Sequence, residues 1–74
     1  MNASSSVPGG YDDLLSVLGE LPVICRETRR RKRLSMREAG EQAGISPSTF
    51  CRVEARTGDP SLSAIVAILR WAAS

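Results

Sequence analysis

Apolar positions recur along this chain with a helical period from Tyr11 onward. Tyr11, Leu14, Leu15 and Leu18 fall on one side of a short helix over 11–19, which Asp12 or Asp13 can cap. Gly19 and Pro22 predict a break, with Pro22 in the first position of a second helix reaching about Lys32. A single helix kinked at Pro22 is the alternative. Leu21, Cys25 and Thr28 mark the inward face, and Lys32 shares their phase, so its stem packs while its ammonium reaches water. Ser35 and Glu38 then form the S-x-x-E pattern of a capping box, opening a helix of little more than two turns that Gly44 ends. Ala39, Gly40 and Ala43 give this helix a small surface for a close crossing. Ser46 followed by Pro47 starts the next helix, which runs to about Ala55 with Phe50 and Val53 inward. Thr57-Gly58-Asp59-Pro60 reads as a loop. From Ser61 a last helix carries Leu62, Ile65, Ile68, Leu69 and Trp71 as a core-facing stripe. No strand pattern, internal repeat or heptad occurs. The expectation is an all-α fold of four to five helices, preceded by a disordered arm over 1–10 that is rich in serine, glycine and proline.

Two short helices meeting at Gly44 over 35–55 carry the punctuation of a helix-turn-helix, which presents its second helix to a groove. If Phe50 and Val53 face the core, the helical period sets Pro47, Ser48 and Thr49 at the exposed start of that helix. Arg52 then lies one turn on, on the same side. Its guanidinium can fork onto the O6 and N7 of guanine, or else contact phosphate or solvent. Ser48 and Thr49 are short donors for bases or phosphates, and Pro47 offers an apolar contact with a thymine methyl. The helix N-termini at Ser35 and Ser46, together with Arg37, Arg56 and Thr57, are candidate phosphate ligands.

Composition adds limits. A chain of 74 residues has room for one domain, expected over 11–74, and only three aromatics occur: Tyr11, Phe50 and Trp71. The core must therefore be mostly aliphatic. No apolar run is long enough to span a membrane and no secretory signal pattern occurs, so a cytoplasmic location is expected. Net charge is only +2, yet Arg26, Arg29, Arg30, Arg31, Lys32 and Arg33 concentrate six of the ten cationic side chains in eight positions. Alone such a run can be a solvated face; beside a helix-turn-helix it favours phosphate contact. No histidine is present, and Cys25 and Cys51 stand apart. Catalytic residues, a metal site and a cofactor are therefore not expected. Cys25 is expected in the core and a disulfide is not.

From about Leu21 to Trp71 the chain resembles the lambda-repressor and Cro family of helix-turn-helix proteins. The resemblance rests on Arg29, Leu34-Ser35, Ala43-Gly44-Ile45-Ser46, Ser48-Thr49, Arg52-Val53-Glu54 and Pro60-Ser61-Leu62. It implies a compact lambda-repressor-like domain acting as a transcriptional regulator of bacterial or phage type. Its partner would be double-stranded operator DNA, bound by a homodimer formed on the DNA, with no membrane and no small-molecule ligand. It also implies an ion pair between Arg29 and Glu54. Two positions depart from the family pattern. Met36 stands where glutamine often anchors phosphate, which shifts that role to Arg37 or to the run Arg30–Arg33. Arg56 stands where glycine commonly ends the recognition helix, so Gly58 is expected to take over the turn. The apolar leader helix lies outside the family core and either packs on the last helix or meets a second copy. It also favours a different class of function, an antitoxin or anti-repressor module whose DNA binding is secondary.

Overall fold

Four helices account for most of the backbone in a computed structural model of the protein, which describes residues 11–74, with side chains from residue 15. They are α1 (Tyr11–Lys32), α2 (Met36–Ala43), α3 (Pro47–Glu54) and α4 (Leu62–Ala73), packed into a compact all-helical domain with no strand among the described residues. The arm expected over 1–10, and the side chains of Tyr11, Asp12, Asp13 and Leu14, lie outside the described residues.

The break expected between Gly19 and Pro22 does not occur; the alternative of a single helix does, and α1 runs through Pro22 for 22 residues. Proline inside a helix forgoes one backbone hydrogen bond and crowds the preceding turn, a cost of about 3 kcal/mol. Burial offsets it here: Pro22 itself is buried, and its neighbours Leu21 and Cys25 are almost completely enclosed. Tertiary packing thus overrides the local signal.

The three following helices begin as the sequence predicts. Ser35 caps α2 through a reciprocal pair, Glu38 N–H to Ser35 Oγ at 3.1 Å and Ser35 N–H to Glu38 Oε1 at 2.9 Å. The bond from the Ser35 backbone, then that with its hydroxyl, holds the Glu38 carboxyl below its usual range. Ser46 and Ser61 cap α3 and α4 by accepting from Thr49 N–H and Ala64 N–H. The helix ends share one device. At α1 the Arg33 and Leu34 amides donate to Arg30 O and Arg29 O. At α2 the Gly44 and Ile45 amides donate to Glu41 O and Gly40 O, and at α3 the Arg56 and Thr57 amides donate to Val53 O and Arg52 O. Each motif needs one left-handed residue, and these are Arg33 (φ 59°), Gly44 (φ 82°) and Arg56 (φ 63°). Gly58 therefore does not take over the turn after α3. Arg56 adopts the left-handed conformation itself, and Gly58 (φ 73°) bends the loop two residues later.

Phe50 and Ile68 are fully enclosed at the centre, with Leu21, Cys25, Ala39, Val53 and Trp71 around them. The Phe50 and Trp71 rings meet edge to face, 5.3 Å between centroids at 84°, the arrangement that the ring quadrupoles favour. Trp71 Nε1 donates to Gln42 Oε1 at 3.3 Å, so the indole is not left unsatisfied. A Cβ on Gly40 would sit 3.1 Å from both Ile45 O and Pro47 Cα, so the absence of a side chain there sets how closely α2 approaches the start of α3. The stripe of α4 is narrower than expected. Ala64, Ile68 and Trp71 are buried, whereas Leu62 is 74% exposed because it stands about 200° around the helix from Ala64. Lys32 is half-buried with its ammonium 3.4 Å from Ser74 Oγ, and Arg31 donates to Ala72 O at 3.4 Å, which joins the ends of α1 and α4.

One ion pair crosses the molecule. Arg29 donates Nε to Glu54 Oε1 at 3.0 Å and Nη2 to Glu54 Oε2 at 2.8 Å, and its Nη1 lies 3.4 Å from Leu34 O. Their side chains are 22% and 8% exposed. The pair is thus largely withdrawn from water, and removing one partner leaves the other charged and unpaired. Glu54→Ala should lower stability by about 2–4 kcal/mol. Glu41→Ala removes only an exposed contact with Arg37 and should change stability by less than about 0.5 kcal/mol. Thermal and urea melts check both; equal midpoints would mean that the pair contributes nothing. Arg56→Gly should raise stability by about 0.5–1 kcal/mol by removing left-handed strain, less the entropy that glycine adds to the unfolded chain. A lowered melting midpoint would show that the Arg56 side chain makes contacts worth more than the strain.

Candidate nucleic-acid interface

The face that α3 turns to solvent is built by the same packing that buries its other side. Phe50 and Val53 are enclosed, so Pro47, Ser48 and Arg52 are exposed and Thr49 is half-buried at the edge. Hydroxyls gather at the start of α3. Ser46 Oγ accepts from the Thr49 amide and donates to Thr49 Oγ1 at 2.8 Å, and Ser48 Oγ lies 3.3 Å away. With its oxygen already accepting, Thr49 keeps its own O–H free to donate outward. The helix dipole gives the same end a partial positive charge.

Thr49, Arg52 and Thr57 line one hollow of about 260 Å³ together with Asp59, Pro60 and Ser61. Thr57 Oγ1 is 3.4 Å from Arg52 O, which ties the loop back to the end of α3. Arg56 is exposed beside it. Ser35 and Arg37 form a second group, at the first turn of α2. Both are exposed, and Arg37 Nε lies 3.5 Å from Glu41 Oε2 in a solvated pair that an anion can displace. Among the described residues, Arg52 and Arg56 take part in no ion pair.

The basic run does not form a single patch. Arg29 is committed to Glu54, Arg30 lies 3.9 Å from Glu27, and Arg31 and Lys32 turn toward the end of α4. A helix spreads eight consecutive positions over its whole circumference, so a run in sequence need not be a run on the surface. Arg33 is left over. It is exposed, in the turn immediately before the α2 cap, and the left-handed conformation that places it there is not something residue type signals.

Among the described residues no cluster of three or more metal-ligating side chains occurs, and no helix is long and apolar enough to cross a membrane. The two cysteines are free, Cys25 buried and Cys51 exposed on α3. Comparison with family models, curated proteins and solved structures finds no match for the chain.

Burial, and after it the neighbouring Glu54 charge, push the Cys25 thiol up to about 11. Iodoacetamide at pH 8 should therefore modify Cys51 and spare Cys25 until denaturant is added, read by mass mapping of the two peptides. Equal labelling of both in the native protein would mean that the α1–α3 interface opens readily.

Proposed function

We propose that this protein is a sequence-specific DNA-binding transcriptional regulator resembling the lambda-repressor and Cro kind. In this reading α2, the Gly44 turn and α3 act as a helix-turn-helix with α3 in the major groove. The observation that carries it is the two-sidedness of α3: one face locked by Phe50, Val53 and Glu54, the other presenting Ser48, Thr49 and Arg52, which pairs with no acid among the described residues. A rigid helix with short hydroxyl donors at its exposed N-terminus and one arginine a turn later suits the reading of base edges.

The roles follow from position. Arg52 forks onto guanine O6 and N7, Ser48 and Thr49 donate to bases or neighbouring phosphates, and Pro47 contacts a thymine methyl. The N-terminal turns that follow the Ser35 and Ser46 caps receive phosphate oxygens through the amides the caps leave unbonded, with Arg37, Arg56 and Thr57 around them. Arg33 joins this set from the turn before α2. No metal, cofactor or catalytic group has a part in this action. A lone domain contacts one short half-site, so a homodimer assembled on operator DNA supplies the affinity for a cytoplasmic regulator of bacterial or phage type. The exposed apolar side chains Leu15, Val23, Leu62 and Val66 favour a second reading, an antitoxin or anti-repressor that holds another protein, with DNA binding secondary.

Selection of bound duplexes from a random pool, followed by binding to single-base variants of the recovered site, tests the proposal. Arg52→Ala should lose about 1–3 kcal/mol at one base pair and relax preference there. Arg37→Ala should weaken all sequences alike and lower the salt slope by about one. Binding that never rises above the non-specific level would leave the protein-interaction reading in its place.

A further inference from the structure

A groove of about 440 Å³ runs between the N-terminal half of α1, the end of α3 and the loop before α4. Its walls are apolar, from Leu18, Pro22, Val53, Pro60 and Ile65, and Arg52 and Arg56 stand on its rim. Gly19 and Gly58 line it without filling it, and an added Cβ at either would meet nothing within 4 Å. The volume falls in the range of about 300–1,000 Å³ typical of small-molecule sites.

We propose that this groove binds a small amphiphilic carboxylate, its chain against the apolar wall and its head on Arg52 and Arg56, and that occupancy withdraws Arg52 from DNA. Charge decides the head. Two guanidinium groups share the rim with one carboxylate, Asp59, and among the described residues neither arginine is paired with it or with any other acid. Two arginines against one carboxylate in the lining of an apolar hollow favour an anion, and guanidinium matches a carboxylate with two parallel hydrogen bonds. Arg56 holds its place in a left-handed conformation that disfavours any side chain. The hollow holding Thr49 and Thr57 shares Arg52, Asp59 and Pro60 with the groove. A head group on Arg52 therefore occupies the guanidinium that base reading would use. No small-molecule ligand was expected from the sequence pattern; the groove, formed by residues far apart in the chain, changes that expectation.

The test titrates decanoate, below its micelle concentration, into the labelled full chain and follows amide shifts. Saturable shifts centred on Val53, Gly58 and Ile65, with dissociation on the order of 0.1 mM, are expected. Decanol and the Arg56→Gly variant should each bind, or be bound, about tenfold more weakly. No saturable shift, shifts centred elsewhere, or equal affinity for decanol and decanoate would overturn the site. This arm needs no DNA, so it stands or falls apart from the proposed function. The antagonism rests on that function. Decanoate should release bound duplex at concentrations that saturate the shifts, and release absent at saturation would overturn it.

Discussion

The orientation of α3 depends on the bidentate pair between Arg29 and Glu54. Helices of two turns have little stability of their own, so α2 and α3 take their directions from what they lean on. Hydrophobic contacts through Phe50 and Val53 hold α3 against the core, but apolar packing is tolerant of rotation and sliding. The planar fork of a guanidinium on a carboxylate is not, because two hydrogen bonds fix both distance and angle. Arg29 also approaches Leu34 O, so one side chain sets the turn into α2 and the end of α3 together. The net free energy of such a pair is small once desolvation is counted. Its effect is geometric: the burial of Phe50 and Val53 decides which face of α3 meets solvent, and the pair pins the end of that helix to α1 in one register.

The same economy of length explains the helix ends. Three successive helices close with a left-handed residue, and two of these are arginines. A side chain in that conformation costs roughly 1–2 kcal/mol relative to glycine. The cost is tolerated because each motif satisfies two amides that would otherwise be unpaired and turns the chain sharply enough for α1, α2 and α3 to reach one another. It also projects Arg33 and Arg56 from the two ends of the α2–α3 unit. Strain and cationic exposure therefore coincide at these two turns.

What could be read from the sequence was what is decided locally. The caps at Ser35, Ser46 and Ser61, the turn at Gly44 and the inward phase of Leu21, Cys25 and Thr28 each depend on a few neighbouring residues, and all are present. The misread features depend on contacts between distant residues. Pro22 continues α1 because the core encloses it, Leu62 is exposed because no element covers that side of α4, and Arg56 turns left-handed because the end of α3 requires it. Likewise the basic run looked like one patch until partners on α3 and α4 claimed half of it. Thr49, Arg52 and Thr57 were chosen individually from the sequence; that they line one hollow depends on how the loop folds back on α3.

The distribution of charge constrains how any nucleic acid would be held. With Arg29 sequestered and Arg31 and Lys32 turned to α4, the exposed cations near α2 and α3 reduce to Arg33, Arg37, Arg52 and Arg56. With Arg52 on a base, about three phosphate contacts, from Arg33, Arg37 and Arg56, give a salt slope near −2.7 for one copy, a modest electrostatic contribution. A single copy would therefore discriminate weakly against the bulk of non-specific DNA. Two copies on adjoining half-sites double the slope and gain effective concentration without any new cation on the protein. In the proposed reading, the small net charge of +2 limits monomeric attachment, and specificity then depends on pairing two rigid α3 helices at the right spacing rather than on general attraction.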